Sequence, residues 1–576
     1  MERLELKKIN GRTYYYYSEW GWKDGKCRRL RQKYLGSLEH IVQTMTQDGP
    51  APDYAEVFQW GLPMAFWQEC ERSNAVAEID RLCPKRQQGL TVGQYLAVAA
   101  INRAIAPCSK RGIWEWSSQT PLWRMMPDAN ATALSSQRFW DHMDRIDEPT
   151  AAKIWRAVLA GVVQREGINL SSVSYDGTNF YTFIDTFNTR CSLAQRGKNK
   201  QGRANLRQVS YALFCCGDSQ LPLYYDLYEG NRHDAREFSA VIQRFEAFYR
   251  DVAGAQAQPG GLTVVFDKGN NSADNFALLD RLQLHFVGSV KLDEHKDLMA
   301  VGNDDERFVA VDEERWPGLK AFRVTRKIGG NNRTVVVTCN PKLFEAQWLT
   351  VQKDLEKALQ GLGELQQRLQ DRANGPIKGG KSPTMASVER QCQRLLRRQH
   401  LKKLITVQVE AGDGAPILTY TFDESALHEL ANTYLGKNLL ITTRSVWSNA
   451  RIIQAYRSQH EIENVFKQMK DTTVGNWWPL QHWTDSKVRV HGLYCTLAVL
   501  WRALLMRRFK QAGLALSVKR AYAELEKIKQ VVNLQPKRRG QKTPTRQIVF
   551  TEISPVQAQI LDALDLKSKM EDLGYR

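Results

Sequence analysis

The sequence predicts an α/β fold with a mixed central sheet, and the order of its β-rich and helical runs is the reason. Three β-rich runs occur at NLSSVSYD, QVSYALFCC and LPLYYDLYEGN. The helical run AREFSAVIQRFEAFY follows, and the β-rich run GLTVVFD comes next. Strand, strand, strand, helix, strand is the order that opens an RNase H-like core. We therefore predict such a core over residues 166–295, resuming over 438–510.

Four further segments surround this core. Residues 296–437 contain β runs, long polar helices and the Gly/Pro-rich stretch ANGPIKGGKSPT, which together indicate an inserted domain. Tyr-rich alternation predicts a small β-rich unit over 1–50, and helical periodicity predicts a helical domain over 51–165. Basic helical runs predict a helical C-terminal region over 511–576.

The chain is strongly basic. Its 576 residues include 81 Lys and Arg against 62 Asp and Glu, which gives a formal net charge of +19. An excess of this size suits neutralisation of nucleic-acid phosphates, and solubility alone is the competing explanation. We expect a nucleic acid as partner because the basic residues are also clustered.

The cysteines and apolar runs indicate the compartment. The ten cysteines include no C-x-x-C pair and no His spaced to complete a zinc site, which favours reduced thiols. The chain starts with a polar, basic stretch and not with the apolar region of a signal peptide. The apolar run from Val490 is interrupted by His491 and Arg502, so we interpret it as a core helix. We expect a cytoplasmic protein without a membrane partner.

Two aspartates follow β-rich runs. Asp176 follows VSY and precedes Gly177, and Asp267 ends LTVVFD two residues before Gly269. A carboxylate at the end of a central strand projects from a rigid element, as a metal site requires. Taken alone, each motif fits a turn better, since Asp before Gly is common turn chemistry.

A third carboxylate lies in YRSQHEIENVFKQMK, whose periodicity predicts an amphipathic helix. The apolar stripe consists of Ile462, Val465, Phe466 and Met469. Tyr456, Glu463 and Lys470 recur every seven residues, so an unbroken helix stacks them on one face about 10 Å apart. Gln459 and Lys467 share that face. The alternative is a surface helix with i, i+4 charge pairs.

In combination, these blocks resemble the DDE transposases of the insertion sequence 4 superfamily. The helix is similar to their Y-R-E-K signature at Tyr456, Glu463 and Lys470, and it departs from the signature at Gln459, where the family has Arg. SYDGTNF and VVFDKGNNSADNF are similar to the blocks of the first and second Asp. RGKNKQGRANLRQVSYALF and LPLYYDLYEGNRHD resemble the strands between them.

The resemblance implies a bacterial insertion-sequence transposase that binds terminal inverted repeats and catalyses metal-dependent DNA cleavage and strand transfer, of the cut-and-paste type. It implies that Asp176, Asp267 and Glu463 are catalytic and bind two Mg²⁺ ions, for which Mn²⁺ can substitute. The implied partners are double-stranded DNA, as terminal repeats and target, and a second copy of the chain.

Residues expected to contact DNA lie on this helix and in the basic run RGKNKQGRANLR. They are Tyr456, Lys467, Lys470, Arg196, Lys198, Lys200, Arg203 and Arg207. The run lacks acidic residues, which suits a loop that contacts phosphates, and an ordinary solvated loop is the alternative. Trp477 and Trp478 either stack on an unpaired base or pack in the core.

Two other functions stay open from the sequence. An RNase H-like nuclease uses the same carboxylates to cleave DNA without joining it. A domesticated, non-mobile DNA-binding protein is the third possibility, and the intact set of carboxylates argues against it.

Overall fold

A computed structural model gives the fold. It describes residues 2–9, 11–23, 26–46, 54–85, 88–199, 201–217, 219–232, 234–254, 260–375, 379, 381–475, 477–535 and 546–574. The strands are β1 (Glu2–Ile9), β2 (Arg12–Lys23), β3 (Lys26–Gly36), β4 (Tyr54–Gln59), β5 (Ser172–Thr182), β6 (Gln195–Arg196), β7 (Arg207–Cys216), β8 (Pro222–Glu229), β9 (Thr263–Val265), β10 (His285–Ser289), β11 (Val309–Ala310), β12 (Lys320–Ile328), β13 (Asn331–Cys339), β14 (Ile405–Glu410), β15 (Ile417–Phe422), β16 (Lys437–Thr442), β17 (Lys529–Leu534) and β18 (Arg546–Phe550).

The helices occur between and after these strands. They are α1 (Leu38–Thr46), α2 (Gly61–Arg72), α3 (Ala75–Leu82), α4 (Val92–Ile105), α5 (Ile113–Ser118), α6 (Leu122–Met125), α7 (Ser136–Met143), α8 (Glu148–Glu166), α9 (Asp234–Ala253), α10 (Ala273–Arg281), α11 (Lys296–Met299), α12 (Pro341–Ala373), α13 (Met385–Leu395), α14 (Leu401–Leu404), α15 (Glu424–Thr433), α16 (Asn449–Arg457), α17 (Gln459–Lys470), α18 (Asp485–Gln511), α19 (Val518–Glu526), α20 (Pro555–Leu564) and α21 (Lys567–Gly574).

The chain forms two compact units. The first comprises Met1–Glu69, Lys110–Ser136 and Leu505–Arg576, and the second comprises Cys70–Ser109 and Gln137–Leu504. The first unit contains the antiparallel sheet β1-β2-β3 and a second sheet in the order β18-β17-β4. Strands β17 and β18 correct the expectation of a purely helical C-terminal region. Alternate residues of β17 are buried, and this short period-2 pattern was obscured by the charged residues around it.

The second unit is organised around a ten-stranded mixed sheet. Its order is β11-β12-β13-β16-β10-β9-β5-β7-β6, and β8 also pairs with β7. β9 is parallel to both β5 and β10, whereas β7 is antiparallel to β5 and β8. Helix α9 connects β8 to β9, so the predicted order of strand, strand, strand, helix, strand is confirmed. The core is RNase H-like.

Strands β11 to β13 belong to this sheet, although the sequence analysis placed their residues in the inserted segment. β13 pairs with β16 from Thr334–Thr442 to Cys339–Lys437, and the run Val335–Val337 is completely buried. A buried apolar run fits any central strand, so its pattern does not reveal which sheet it joins. The boundaries of the six predicted segments remain predictions.

The residues between β13 and β16 have a hydrophobic core of their own. Helix α12 is 33 residues long and buries one apolar stripe along its length. Its buried residues include Leu355, Leu362 and Leu369, which pack with Leu401 and Leu418. This cluster includes residues of α13, α14 and the hairpin β14-β15.

Helices cover both faces of the RNase H-like core. On one face, α9 packs through Phe238, whose ring lies 5.0 Å from that of Tyr175 on β5. Successive strand residues point to opposite faces, so Ser174 and Asp176 point away from α9. Helices α16 and α17 pack on this second face and define the side on which the candidate site lies.

Two interpretations of buried groups agree with the structure. By length and composition α18 could cross a membrane, but 94% of its most apolar window is buried within the protein. Packing therefore accounts for its composition. All ten cysteines are free thiols, and Cys215 and Cys216 are buried in β7.

Candidate active site

Asp176 lies within β5 and not at its end. The strand continues to Thr182, and Asp176 pairs with Leu213 of β7. Its Oδ1 accepts a hydrogen bond of 2.8 Å from the Gly177 N–H. This corrects the expectation that the strand stops at the aspartate, because pairing with β7 outweighs the local turn tendency of Asp-Gly.

Asp267 lies two residues beyond the end of β9 and is exposed. Ser174 of β5 pairs with Val265 of β9 in parallel register, and each aspartate lies two residues beyond its member of that pair. Residues i and i+2 share a face, and neighbouring strands are about 4.8 Å apart. Asp176 and Asp267 therefore lie side by side on the face that carries α16 and α17.

The predicted amphipathic helix is divided at Ser458 into α16 and α17. Tyr456 lies in the last turn of α16, whereas Glu463 and Lys470 lie on α17, so the expected stack of three on one unbroken helix does not form. Gln459 is buried rather than on the exposed face of Glu463, which is a further correction. The predicted apolar stripe is confirmed, since all four of its members are buried.

Two side-chain contacts fix α17 along β5. At the start of α17, the Ser458 hydroxyl lies 2.9 Å from that of Ser174. At its end, the Lys470 ammonium donates to Thr178 Oγ1 at 2.6 Å. The helix therefore follows the strand in the same direction past the position of Asp176.

Glu463 and Asp176 each lie between the two contacts that fix α17 along β5. Asp176 is between Ser174 and Thr178 and shares their face. Glu463 is between the two fixed ends of α17, and its side chain is 54% exposed. The helix thus brings the third carboxylate over the strand of the first.

Tyr456 contacts Asp267 indirectly, through the hydroxyl of Ser289. Its hydroxyl donates to Ser289 Oγ at 2.8 Å, and Ser289 Oγ makes a long contact of 3.5 Å with Asp267 Oδ1. Burial, together with the charges of Asp267 and Glu463, raises the pKa of Tyr456. The two carboxylates therefore flank one hydroxyl that stays protonated. The sequence analysis missed Ser289, whose only signal was its position at the end of a central strand.

The carboxylates fit divalent cations in ligand type. All three offer hard oxygen ligands of the kind that Mg²⁺ prefers, and none is buried. Among the described residues, no group of three or more His, Cys, Asp or Glu side chains is close enough to hold a metal ion. Glu463 forms a 4.0 Å ion pair with the exposed Lys467, and its own side chain is 54% exposed.

Comparison with known proteins identifies the family. A family model described as "Transposase DDE domain" matches residues 173–501, which is more than half of the chain. The chain belongs to this family of DDE transposases. The match begins in β5 and ends in α18, so it includes all three carboxylates. DDE transposases generally use divalent metal ions.

Among solved structures, the transposase is similar to a cryo-EM structure of a piggyBac transposase synaptic complex with hairpin DNA. The sequence identity is 9% and the TM-score is 0.34, and the match covers 81% of this chain and 77% of that chain. A search of curated proteins found no significant match.

Four of the eight expected DNA contacts of the transposase are exposed cations. Arg196, Lys198 and Arg203 are exposed, and the Lys467 side chain is 69% exposed. Lys200 lies outside the described residues. These positions remain predicted phosphate contacts.

The structure corrects the prediction that Arg207 contacts DNA. Arg207 is 8% exposed, and its guanidinium donates to the backbone carbonyls of Asp185, Asn188, Cys191 and Ala194. Four of its five N–H donors are used within the protein, so it fixes the conformation of a loop and is not an exposed phosphate contact.

The two tryptophans after α17 pack against β5. Trp477 is fully buried and stacks on Phe180 at 4.3 Å. Trp478 stacks on Tyr181 at 4.5 Å and donates its indole N–H to the Tyr181 carbonyl. Core packing is therefore the role of Trp477, and base stacking by it is excluded.

Proposed function

We propose that this transposase is of the insertion sequence 4 type, with Tyr456, Glu463 and Lys470 as its Y-R-E-K residues. It would bind the terminal inverted repeats of a bacterial insertion sequence, cleave the DNA and transfer the ends by cut and paste. The observation that supports this proposal is the side-by-side position of Asp176 and Asp267, with Glu463 on the helix above them.

Asp176, Asp267 and Glu463 would hold two Mg²⁺ ions, or Mn²⁺ in their place. When bound, such ions stabilise the attacking and leaving oxygens of a displacement at phosphorus. Lys470 and Lys467 bind the phosphate beside the cut. Tyr456 orients Asp267 through Ser289.

The other predicted segments complete the proposal. The helical segment 51–165 reads the terminal repeat, and the inserted segment 296–437 shields the site and contacts the element's DNA. Joining two ends requires at least a homodimer on double-stranded DNA. We place this reaction in the bacterial cytoplasm, at the nucleoid.

The test uses purified full-length protein, the element's ends and Mg²⁺. Asp176→Asn, Asp267→Asn and Glu463→Gln should each lower cleavage at least about a hundredfold, since even groups that only orient metal ligands contribute 10- to 100-fold. Their DNA affinity and thermal unfolding should stay unchanged. Glu461→Gln is the matched control: Glu461 lies on the same helix but accepts a hydrogen bond from Gln220. Full cleavage by any of the three folded variants would refute the site.

A second measurement separates transposase from nuclease. Wild-type protein should join a pre-cut 3′ end to target DNA, whereas a nuclease would only cleave. Chelation with EDTA should abolish both reactions, and added Mg²⁺ or Mn²⁺ should restore them. Cleavage without joining would favour the nuclease.

A further inference from the structure

The connection between β5 and β6, residues 183–194, exposes two large aromatic side chains; we refer to it as the Phe187 loop. Phe187 is 90% exposed and Phe183 is 71% exposed. Exposing such rings to water forgoes the stabilisation that burial gives. The two rings lie within five positions of one loop, and exposed apolar groups that occur together and are rimmed by polar residues are typical of interaction sites.

Arg207 fixes the backbone of the Phe187 loop. Its buried guanidinium donates to four backbone carbonyls spaced along residues 185–194. These charge-assisted bonds hold both the outgoing and the returning halves of the loop. The backbone conformation of the loop therefore does not depend on contacts of the Phe187 side chain.

Asp485 of α18 also fixes the Phe187 loop, near its C-terminal end. Its carboxylate accepts hydrogen bonds from the N–H and hydroxyl of Ser192 and from the N–H of Leu193. These bonds lower the pKa of Asp485 against the opposing effect of burial. At the tip, Asp185 Oδ1 accepts the Phe187 N–H at 2.7 Å and orients the aromatic residue.

The charges around the loop suit a polyanion. Residues 183–207 contain a single acidic residue, Asp185, whose carboxylate is used within the loop. Arg190, Arg196 and Lys198 are exposed, and Arg196 donates to the hydroxyl of Thr186, next to Phe187, at 3.0 Å. Closer to the active site, the Arg203 guanidinium lies 4.5 Å over the ring of Tyr181. Cations therefore continue along the end of β5 toward the loop.

We propose that the Phe187 loop is a DNA wedge, in which Phe187 inserts between base pairs of the duplex held at the active site. Apolar side chains that enter a base step unstack it and bend the duplex, while neighbouring cations bind the phosphates. The inference rests on the proposed function, since it requires DNA at Asp176.

The position of the loop sets where the wedge acts. Six residues of β5 separate Asp176 from Thr182, which is about 20 Å at roughly 3.3 Å per residue. At about 3.4 Å per base pair, a duplex that follows β5 from Asp176 would meet the start of the loop about six base pairs from the cleaved phosphate.

The test uses full-length protein and a 40-base-pair duplex containing the element's end, without divalent cations. 2-Aminopurine is placed at successive base steps, and its fluorescence reports unstacking. Wild type and Phe187→Trp should raise the fluorescence about six base pairs from the cut, and Phe187→Ala should not. Phe187→Ala should also bind about tenfold more weakly, at an unchanged salt dependence, because stacking and not charge is lost. Val309→Ala is the control, a 58% exposed apolar side chain at the opposite edge of the sheet.

The outcomes separate the two proposals. If wild type does not bind the duplex, both the proposed function and the wedge fail. If wild type binds and cleaves but Phe187→Ala matches it in affinity and fluorescence, only the wedge fails. A lower unfolding temperature of Phe187→Ala would also overturn the wedge, because it would mean that the ring stabilises the fold.

Discussion

Gln459 Nε2 donates a hydrogen bond of 2.8 Å to the backbone carbonyl of Tyr175. This bond joins the first turn of the Glu463 helix to the residue that precedes Asp176. Gln459 is 8% exposed, so its amide acts as a neutral connector between helix and strand. The nearby Arg457 instead lies over the ring of Trp316 at 4.7 Å and does not reach this position.

Loss of this connector should destabilise the fold. Gln459→Ala removes the hydrogen bond to the Tyr175 carbonyl, so we expect a loss of about 0.5–1.5 kcal/mol in the free energy of unfolding, measured with urea. Gln459→Arg, the residue of the Y-R-E-K signature, should also destabilise, because a charge would be buried there. The exposed Gln454→Ala should change stability by less than about 0.5 kcal/mol. A fully stable Gln459→Arg variant would contradict the neutral role.

Tyr456→Phe tests whether the hydroxyl orients Asp267 or contacts DNA. The ring still packs, but the hydrogen bond to Ser289 is lost. We expect cleavage to slow by about 10- to 100-fold, as for other groups that orient metal ligands, with unchanged affinity for the element's end. Weaker DNA binding at an unchanged cleavage rate would instead support the direct contact predicted from the sequence.

Lys470→Met should weaken binding of the element's end and reduce the slope of log affinity against log salt by about one, the contribution of one phosphate contact. Lys470→Arg keeps the charge and should retain the slope. Lys467→Met is the comparison on the exposed side of the same helix, and it should give the same change. Titrations at several salt concentrations measure these slopes. An unchanged slope for Lys470→Met would mean that its ammonium acts within the protein, at Thr178 and over the ring of Phe180, and not on phosphate.

Arg207→Ala should act through stability, whereas Arg196→Ala should act through DNA binding. Removing the buried guanidinium leaves four carbonyls without their donor, and we expect a loss of more than about 2 kcal/mol in urea unfolding. Arg196 is exposed, so its substitution should change stability by less than about 0.5 kcal/mol and reduce the salt slope by about 0.9. A stable Arg207→Ala variant with weaker DNA binding would restore the original prediction.

The sequence by itself determined the order of the core elements and the buried stripe of the Glu463 helix. Both follow from periodicity within single segments, which depends on backbone geometry and does not require knowledge of distant residues. The combination of the three acidic blocks was also recognisable, because their order along the chain is a property of sequence.

Only the tertiary structure decided how these segments meet. Asp176 lies inside its strand because β7 pairs beyond it, and β13 joins the core because β16, about a hundred residues later, returns beside it. The sequence predicted that Arg207 contacts DNA, whereas in the structure its guanidinium donates hydrogen bonds to four backbone carbonyls of a loop. Strand pairing and the burial of a charge depend on partner residues that are distant in sequence. Local sequence patterns do not identify those partners.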